Sequence, residues 1–231
     1  MKTYKVICID MFQTLVNIEA RKRFIWKRIL KDNYSDELCL EYASMVSQNI
    51  INRFHEEFSK SHEFMNLRCI FEGCFANIFE LKGVEYDPKV ATQIFIEEHN
   101  NAEWYEDSLS FIEKANSQYK VCLVSDADYD MVFALLEKIR IDKVVISEEV
   151  RSYKRNADGK MFEEVLKHYQ CKPDEILHIG DSSSDIVGAK SQNIDTCWIN
   201  RHNYKKRFEG APTYEVESLY ELEKELFNDI V

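Results

Sequence analysis

Five short apolar runs constrain the fold of this 231-residue chain more than any other feature. They are rich in Val and Ile and contain few polar residues: Tyr4–Ile9, Lys120–Val124, Lys143–Ile146, Ile176–Ile179 and Thr196–Ile199. Such runs are typical of strands that are buried on both faces of a parallel sheet. From residue 108 onward they alternate with segments of helical apolar spacing: Ser108–Ser117, Asp128–Ile139, Lys160–Tyr169 and Ser184–Gln192. This alternation predicts an α/β fold with a doubly wound parallel sheet.

The first run is separated from the second by far more chain than one crossover connection, which needs about a dozen residues. This stretch has no strand pattern and divides into four helical segments: residues 18–31, 36–58, 63–82 and 88–103. It is long enough to bury its own core as a small helical bundle. We therefore expect a core domain of residues 1–16 and 104–231, and an inserted helical cap domain of residues 17–103. Ligands bind beyond the carboxyl ends of parallel strands, so the cap is expected to cover the site.

Polar residues follow the predicted strands at that edge. In chain order they are Asp10, then Ser125 and Asp126, then Lys154, then Asp181 and Asp185. Carboxylates that lie close together repel each other unless a cation joins them, and Mg²⁺ prefers such oxygen ligands. A serine can donate a hydrogen bond to a phosphoryl oxygen, a lysine can neutralise its charge, and an aspartate can attack phosphorus. Gly180 is expected to let the backbone turn sharply beside the anion.

Four segments resemble the motifs of the haloacid dehalogenase-like (HAD) hydrolase superfamily, in the family's order: Val6–Leu15, Val121–Ser125, Ser147–Lys154 and Ile176–Asp185. Each motif alone is weak, but four in order at strand ends, with a cap-sized gap after the first, are specific. The chain most resembles the branch with a helical cap after the first strand. The resemblance implies a Rossmann-like core and a hydrolase.

The resemblance also implies a role for each residue that matches a motif. Asp10 matches the nucleophile, and Lys154 is the second catalytic residue. Substrate binding is expected from four residues, of which the first orients the loop after the first strand: Thr14, Ser125, Asp126 and Lys154. Mg²⁺ is expected to bind four groups: Asp10, the backbone carbonyl of Phe12, Asp181 and Asp185, the last directly or through water. The expected substrate is a small phosphorylated metabolite.

The chain departs from the family's pattern at two places. Phosphatases of this family carry an acid–base Asp two residues after the nucleophile, whereas this chain has Phe12, which cannot transfer a proton. Dehalogenases of the same superfamily carry an aromatic residue there, but they usually lack the acid that Asp181 matches. Phe12 therefore leaves three hypotheses: a Mg²⁺-dependent phosphatase, a 2-haloacid dehalogenase, and a nearly inactive binding protein. In the third motif, alignment from the left selects Lys154, while alignment backward from Phe162 selects Asn156.

Several of these residues also have ordinary structural interpretations. Asp10 and the Ser125–Asp126 pair are residue types that cap helices or occupy turns, and Asp181 and Asp185 suit the first turn of a helix. His178 lies in a strand and is expected to be a structural histidine, and the remaining histidines have no metal-ligand spacing. The basic cluster from Arg21 to Arg28 is either a solvated face or a contact for an anionic substrate. The aromatic residues at 54, 58, 64, 71, 75 and 79 are expected to form the bundle core rather than a ligand cage.

Composition limits the partners and the compartment. The formal net charge of −11 argues against a nucleic-acid-binding protein, which carries a basic face. The longest charge-free stretch, Tyr42–Asn52, is far shorter than the ~20 residues of a membrane span. The apolar run near the N-terminus is shorter than the about 7–15 residues of a secretory signal. The seven scattered cysteines indicate free thiols. We expect a cytoplasmic monomer or homodimer.

Overall fold

A computed structural model describes residues 3–59 and 63–227, without the side chains of residues 55–59. Residues 1–2 and 228–231, which belong to the predicted core domain, lie outside the described residues, as do residues 60–62 of the predicted cap. The same holds for the side chain of Phe58, one of the aromatic residues expected in the bundle core. No helix in the described ranges is long and apolar enough to cross a membrane.

The core is a six-stranded, all-parallel sheet. Its strands are β1 (Val6–Ile9), β4 (Lys120–Ser125), β5 (Lys143–Ile146), β6 (Ile176–Gly180), β7 (Asp195–Ile199) and β8 (Tyr214–Val216). They lie side by side in the order β5-β4-β1-β6-β7-β8. The five predicted strands are confirmed to within two residues. The sixth, β8, was not predicted, because three residues with a polar centre form no apolar run. In the sheet centre, Cys8 of β1 pairs with Cys122 on one side and His178 on the other.

Helices cover both faces of this sheet, which confirms the doubly wound architecture. They are α5 (Ser108–Asn116), α6 (Tyr129–Leu136), α7 (Ser147–Val150), α8 (Lys160–Tyr169), α9 (Ser183–Ser191) and α10 (Leu219–Phe227). One face buries Phe111 of α5 and Leu135 of α6, and the other buries Phe162 of α8. The two apolar clusters explain why the central strands are apolar at every position.

Four α-helices lie between β1 and α5: α1 (Lys22–Leu30), α2 (Asp36–Ser59), α3 (Leu67–Lys82) and α4 (Pro88–Asn100). Their facing sides enclose a separate apolar cluster that contains Trp26, Phe75 and Phe79. Phe75 and Phe79 therefore belong to the helical core, as expected. Phe54 and Phe64 instead contact Tyr153, which follows β5.

A short antiparallel ribbon joins the helical region to the sheet. It pairs β2 (Val16–Asn17) with β3 (Glu103–Trp104), so that Val16 lies opposite Trp104 and Asn17 opposite Glu103. The ribbon brings together the two positions at which the sequence predicts domain boundaries. The division into two domains itself stays a prediction, and "cap" below means residues 17–103.

Candidate active site

Asp10 lies at the carboxyl edge of the sheet, directly after the central strand β1. Its backbone N–H donates to the carbonyl of Ile179 at 2.9 Å, so the ladder between β1 and β6 continues to this residue. Ser125 ends the neighbouring strand β4, and Asp181 follows β6 on the other side. The parallel topology therefore brings three segments that are far apart in the sequence to one point.

Two donors hold the Asp10 carboxylate. The Ser125 hydroxyl and the Lys154 ammonium both donate to Oδ1, each at 2.8 Å. Among the described residues, no group donates to Oδ2. Burial raises the pKa of Asp10 to about 6, and Asp185 adds to this shift while Lys154 opposes it. The carboxylate is therefore charged at neutral pH, with one oxygen held and the other available for bond formation.

Lys154 connects Asp10 to a second acid, Asp185. Its ammonium group also lies 2.5 Å from Asp185 Oδ1, and its side chain is buried. Burial opposes the charge of Lys154, but Asp10 and Asp185, with Asp126, raise its pKa above the ordinary value. The alternative residue of the third motif, Asn156, donates to Ser152 at 3.2 Å instead. The structure therefore brings Lys154, and not Asn156, to the site.

Asp185 accepts four hydrogen bonds. Besides Lys154, the His178 ring donates to Oδ1 at 2.9 Å, and Ser182 donates to Oδ2 through its backbone N–H at 3.0 Å and its hydroxyl at 2.5 Å. Burial alone would raise the pKa of Asp185, but Lys154 and His178 lower it below its usual range. Because these donors occupy both of its oxygens, Asp185 is placed to position Lys154, while its role as a metal ligand, directly or through water, stays a prediction.

Two glycines permit this close packing. A Cβ at Gly180 would lie 2.1 Å from the Asp185 carboxyl carbon, and a Cβ at Gly188 would lie 2.1 Å from the Lys154 carbonyl oxygen. Gly180 is not among the glycines with positive φ. The prediction that it provides a sharp backbone turn is therefore wrong: the residue is small because Asp185 occupies the space of its side chain.

Carboxylate oxygens of Asp10, Asp181 and Asp185 lie within 4.8 Å of one another. Burial raises the pKa of Asp181 well above its ordinary value, and the charges of Asp185 and Asp10 add to the shift. Apart from its own backbone N–H, no described group donates a hydrogen bond to the Asp181 side chain. A half-buried carboxylate without a cationic partner, beside two buried ones, is a donor set that fits a hard divalent cation such as Mg²⁺. The role of the Phe12 carbonyl stays a prediction; its ring forms part of the cavity wall.

The two other residues of the predicted substrate-binding set differ from each other in position. Asp126 lines the cavity described next, but its carboxylate is held by the protein. Both carboxylate oxygens of Asp126 are occupied, because the backbone N–H of Lys154 and the hydroxyl of Ser184 each donate to them at 2.8 Å. Asp126 thereby ties the Lys154 loop to α9. Thr14 is fully buried, and its carbonyl accepts two hydrogen bonds from Arg201. The structure does not bring Thr14 to the cavity described next.

A cavity of about 410 Å³ lies between this carboxylate cluster and the cap. Asp10, Ser125, Lys154 and Asp181 line one end of it, and apolar cap residues line the other. We call it the cap cavity. Phe12 stands in its wall, with its ring edge-on to the ring of His99 at 5.0 Å between centroids.

The basic cluster of the cap is largely neutralised by acids of the same region. Arg21 lies 2.5 Å from Glu98, and Arg28 lies 2.6 Å from Glu97. Lys22 pairs with Glu19 one turn earlier. This arrangement favours the interpretation of the cluster as a structural and solvated face over a contact for an anionic substrate.

Two histidines lie in or beside the site, in positions that sequence reasoning did not assign to it. His178 is fully buried, as expected of a structural residue, but the acid that it holds belongs to the site. His99 on α4 is also buried and lines the cap cavity. No spacing signal distinguishes it, because it meets Phe12 only through packing of the cap on the core.

Comparison with known proteins agrees with this geometry. A family model described as haloacid dehalogenase-like hydrolase matches residues 8–199. The pyrimidine 5'-nucleotidase YjjG of Escherichia coli is 36% identical over 104 residues, which cover 40% of this chain and 45% of YjjG. The chain thus spans less than half the length of that relative. YfnB of Bacillus subtilis is 23% identical over 249 aligned positions, covering 96% of this chain and 95% of YfnB.

Solved structures share the fold. YfnB from Bacillus subtilis bound to magnesium has a TM-score of 0.80 at 20% identity, covering 98% of this chain and all of that one. L-2-haloacid dehalogenase from Xanthobacter autotrophicus has a TM-score of 0.81 at 15% identity, covering 99% of this chain and all of that one. Because the family model extends over most of the sequence and the parallel sheet places its motifs together, this chain belongs to the haloacid dehalogenase-like hydrolases.

Proposed function

We propose that this hydrolase is a Mg²⁺-dependent phosphatase of a small phosphorylated metabolite, acting through an aspartyl-phosphate on Asp10. The observation that carries the proposal is the carboxylate of Asp181 beside Asp10, which is half-buried and accepts no hydrogen bond from any other described residue. A carboxylate with a raised pKa and no donor beyond its own backbone is costly to keep unless a cation neutralises it. A nucleophile next to a divalent cation suits a phosphoryl group, which such cations bridge.

The residues of the site divide the reaction between them. Asp10 Oδ2 attacks phosphorus in line with the ester bond, while Ser125 and Lys154 hold Oδ1 and stabilise charge on the phosphoryl oxygens. The carboxylates of Asp10, Asp181 and Asp185 would hold Mg²⁺, which would supply further positive charge against those oxygens. The leaving oxygen departs with the electron pair of the broken P–O bond. Water then attacks phosphorus, which releases phosphate and restores Asp10.

Similarity to named proteins supports the proposal. YjjG and PynA of Streptococcus pneumoniae are pyrimidine 5'-nucleotidases, and a relative in Pyrococcus furiosus is a glyceraldehyde 3-phosphate phosphatase. The solved structure of YfnB is bound to magnesium. Three of these four relatives act on phosphate esters by name.

One observation favours a second candidate, a 2-haloacid dehalogenase. Phe12 presents an aromatic ring, and not an acid, to the cap cavity. A halide leaves without a proton, so such an enzyme has no need of an acid there. The same ring keeps a third candidate open, a nearly inactive binding protein. Both alternatives leave the unpaired Asp181 carboxylate without a function.

Incubation of the purified protein with p-nitrophenyl phosphate and, separately, with chloroacetate distinguishes the three. We expect phosphate release that needs Mg²⁺ and is abolished by chelation, with no chloride release. Chloride release without phosphate release would identify a dehalogenase. Absence of both would support the binding protein.

Mg²⁺ is also expected to stabilise the fold through Asp181. At about 100 times its Kd, a ligand that binds only the folded state contributes about 2.7 kcal/mol, or roughly 5–10 °C in Tm for a chain of this size. Asp181→Ala should lose most of this rise. Without Mg²⁺ the same variant should melt above the wild type, because burial and the neighbouring acids disfavour the Asp181 charge.

Differential scanning fluorimetry with and without Mg²⁺ measures both effects. Asp174→Ala is the matched control, since Asp174 is exposed and precedes β6 at the opposite edge of the sheet. An equal Mg²⁺ response in the Asp181 and Asp174 variants would contradict the metal site.

The partners and location follow from the same proposal. The expected substrate is a small molecule, with no nucleic acid or membrane partner, and the protein acts as a monomer or homodimer. All seven cysteines are free thiols, five of them buried, as suits a reducing cytoplasm.

A further inference from the structure

We infer that the leaving group of the substrate is an uncharged aromatic ring carrying one N–H or O–H donor, which is bound in the cap cavity with His99 as its hydrogen-bond acceptor. The inference rests on the proposed phosphatase function, because it concerns the group that phosphate leaves. Three independent features of the described residues support it: the apolar cavity wall, the paired charges of the cap, and the state of the His99 ring.

The cap half of the cavity is mostly apolar. Its wall is formed by side chains from all four cap helices, among them Ile25, Trp26, Val46, Ile50, Phe71 and Phe75. A cavity of about 410 Å³ is in the range of small-ligand sites, and part of it is needed for the phosphoryl group. The remaining space suits one or two rings, whose faces would gain from leaving water.

Charge in the cap disfavours an ionic leaving group. Three charged cap residues line the cavity in the described part of the chain, and each has an oppositely charged partner. Glu19 and Lys22 pair with each other, and Arg21 pairs with the buried Glu98. Arg155 of the core also lines the cavity and has no acidic partner among the described residues, but its guanidinium donates to Ser183, next to the carboxylate cluster. A carboxylate or ammonium on the part of the leaving group that contacts the cap would therefore lose water without gaining an ion pair.

His99 supplies one polar group to this apolar wall. Its Nδ1 lies 2.7 Å from the Phe95 carbonyl, which can only accept, so Nδ1 carries a hydrogen. The rings of Phe12, Phe71 and Phe95 surround the imidazole and disfavour its charged form. Nε2 therefore holds a lone pair, and no described group donates to it. A donor on the substrate would satisfy this atom.

Phe12 selects leaving groups in the same direction. With no acid at position 12, the leaving oxygen departs as an anion and takes its proton later from solvent. Phenolic and heteroaromatic hydroxyls form stable anions more readily than alkyl alcohols do. The apolar wall of the cap cavity can bind a ring, and Phe12 cannot donate a proton to the leaving group. Both features favour an aryl phosphate.

The contribution of His99 is tested by kcat/KM on three aryl phosphates: phenyl phosphate, 3-hydroxyphenyl phosphate with a donor, and 3-carboxyphenyl phosphate with a charge. For the wild type we expect the hydroxyl to raise kcat/KM about fivefold over phenyl phosphate, which is the effect of one neutral hydrogen bond. We expect the carboxylate to lower kcat/KM at least about tenfold, because its charge would lose water without a partner. In His99→Phe the advantage of the hydroxyl should disappear. If the carboxylate is tolerated, or the hydroxyl advantage survives in His99→Phe, the inference is wrong.

The cavity itself is tested by filling it. Ala43 on α2 lines the cap cavity and is buried, whereas Ala76 on α3 is exposed and outside it. Ala43→Phe should lower kcat/KM for 2-naphthyl phosphate at least about tenfold relative to Ala76→Phe, as expected when a bound ring is excluded. Acetyl phosphate has a small leaving group that needs no proton, so Ala43→Phe should lower its hydrolysis far less than that of 2-naphthyl phosphate, and Ala76→Phe should leave both rates at the wild-type level. Circular dichroism confirms that each variant is folded.

Hydrolysis of acetyl phosphate distinguishes failure of this inference from failure of the proposed phosphatase function. If the wild type hydrolyses it but shows no preference among the aryl substrates, and Ala43→Phe has no effect, the inference is overturned and the proposed function stands. If the wild type hydrolyses neither acetyl phosphate nor any aryl phosphate with Mg²⁺ present, both are overturned. Should Ala43→Phe fail to fold, the comparison of His99→Phe with wild type decides the inference alone.

Discussion

Replacing Asp10 with Asn is expected to lower phosphatase turnover by at least about 10³-fold, the scale on which loss of a nucleophile acts. The amide has nearly the same size, and its oxygen can still accept from Ser125 and Lys154. It is a poor nucleophile, however, and a weaker metal ligand. Because the variant removes one charge from a site with two other acids, of which Asp185 is buried, we expect the fold to remain intact. The rate of phenyl phosphate hydrolysis measures the loss of turnover, and the Tm measures whether the fold remains intact.

Asp174→Asn provides the control for this substitution, since it makes the same chemical change at an exposed position. It should retain wild-type turnover. Retention of more than about a tenth of wild-type turnover by Asp10→Asn would exclude Asp10 as the nucleophile, because loss of a nucleophile lowers turnover by orders of magnitude.

Restoring an acid at position 12 is expected to change which substrates react. A positioned general acid contributes about 10²–10⁴-fold, and it matters most when the leaving group is basic. Phe12→Asp should therefore raise the ratio of alkyl to aryl phosphate turnover by up to that factor. The gain in absolute rate will be smaller, because the variant loses the contact of Phe12 with His99 and adds a fourth acid near Asp10.

Phe12→Asn is the matched control, with the shape of Asp and no proton to transfer. Steady-state rates on glycerol 1-phosphate and phenyl phosphate in both variants give the ratio directly. If both variants have the wild-type ratio while remaining folded and bound to Mg²⁺, the proton of the leaving group comes from elsewhere, such as the substrate or a bound water.

The sequence predicts most of the sheet because its strands are buried on both faces. Residues such as Val6–Ile9 are apolar at each position, and this signal is local. The edge strand β8 has only Val216 buried, so it lacks that signal. The sequence also does not predict the ribbon of β2 and β3, because strands of two residues are too short to show an alternating pattern of apolar and polar residues.

The same distinction holds at the site. Asp10, Ser125 and Asp181 could be predicted because each stands at the end of a recognisable strand. His99 could not, because it acquires its position from packing against Phe12, far away in the chain. The role of His178 depends likewise on Asp185, whose carboxylate folds back over Gly180. Side chains that act through another element need the assembled fold to identify them.

Covalent trapping tests the central claim most directly. The protein and Mg²⁺ are mixed with ³²P-labelled phenyl phosphate and quenched in acid within milliseconds, and the labelled peptide is located by digestion and mass spectrometry. We predict an alkali-labile phosphoryl group on the peptide that contains Asp10, which is absent without Mg²⁺ and in Asp10→Asn. Steady phosphate release with no labelled peptide, or with the label on another residue, would contradict the account.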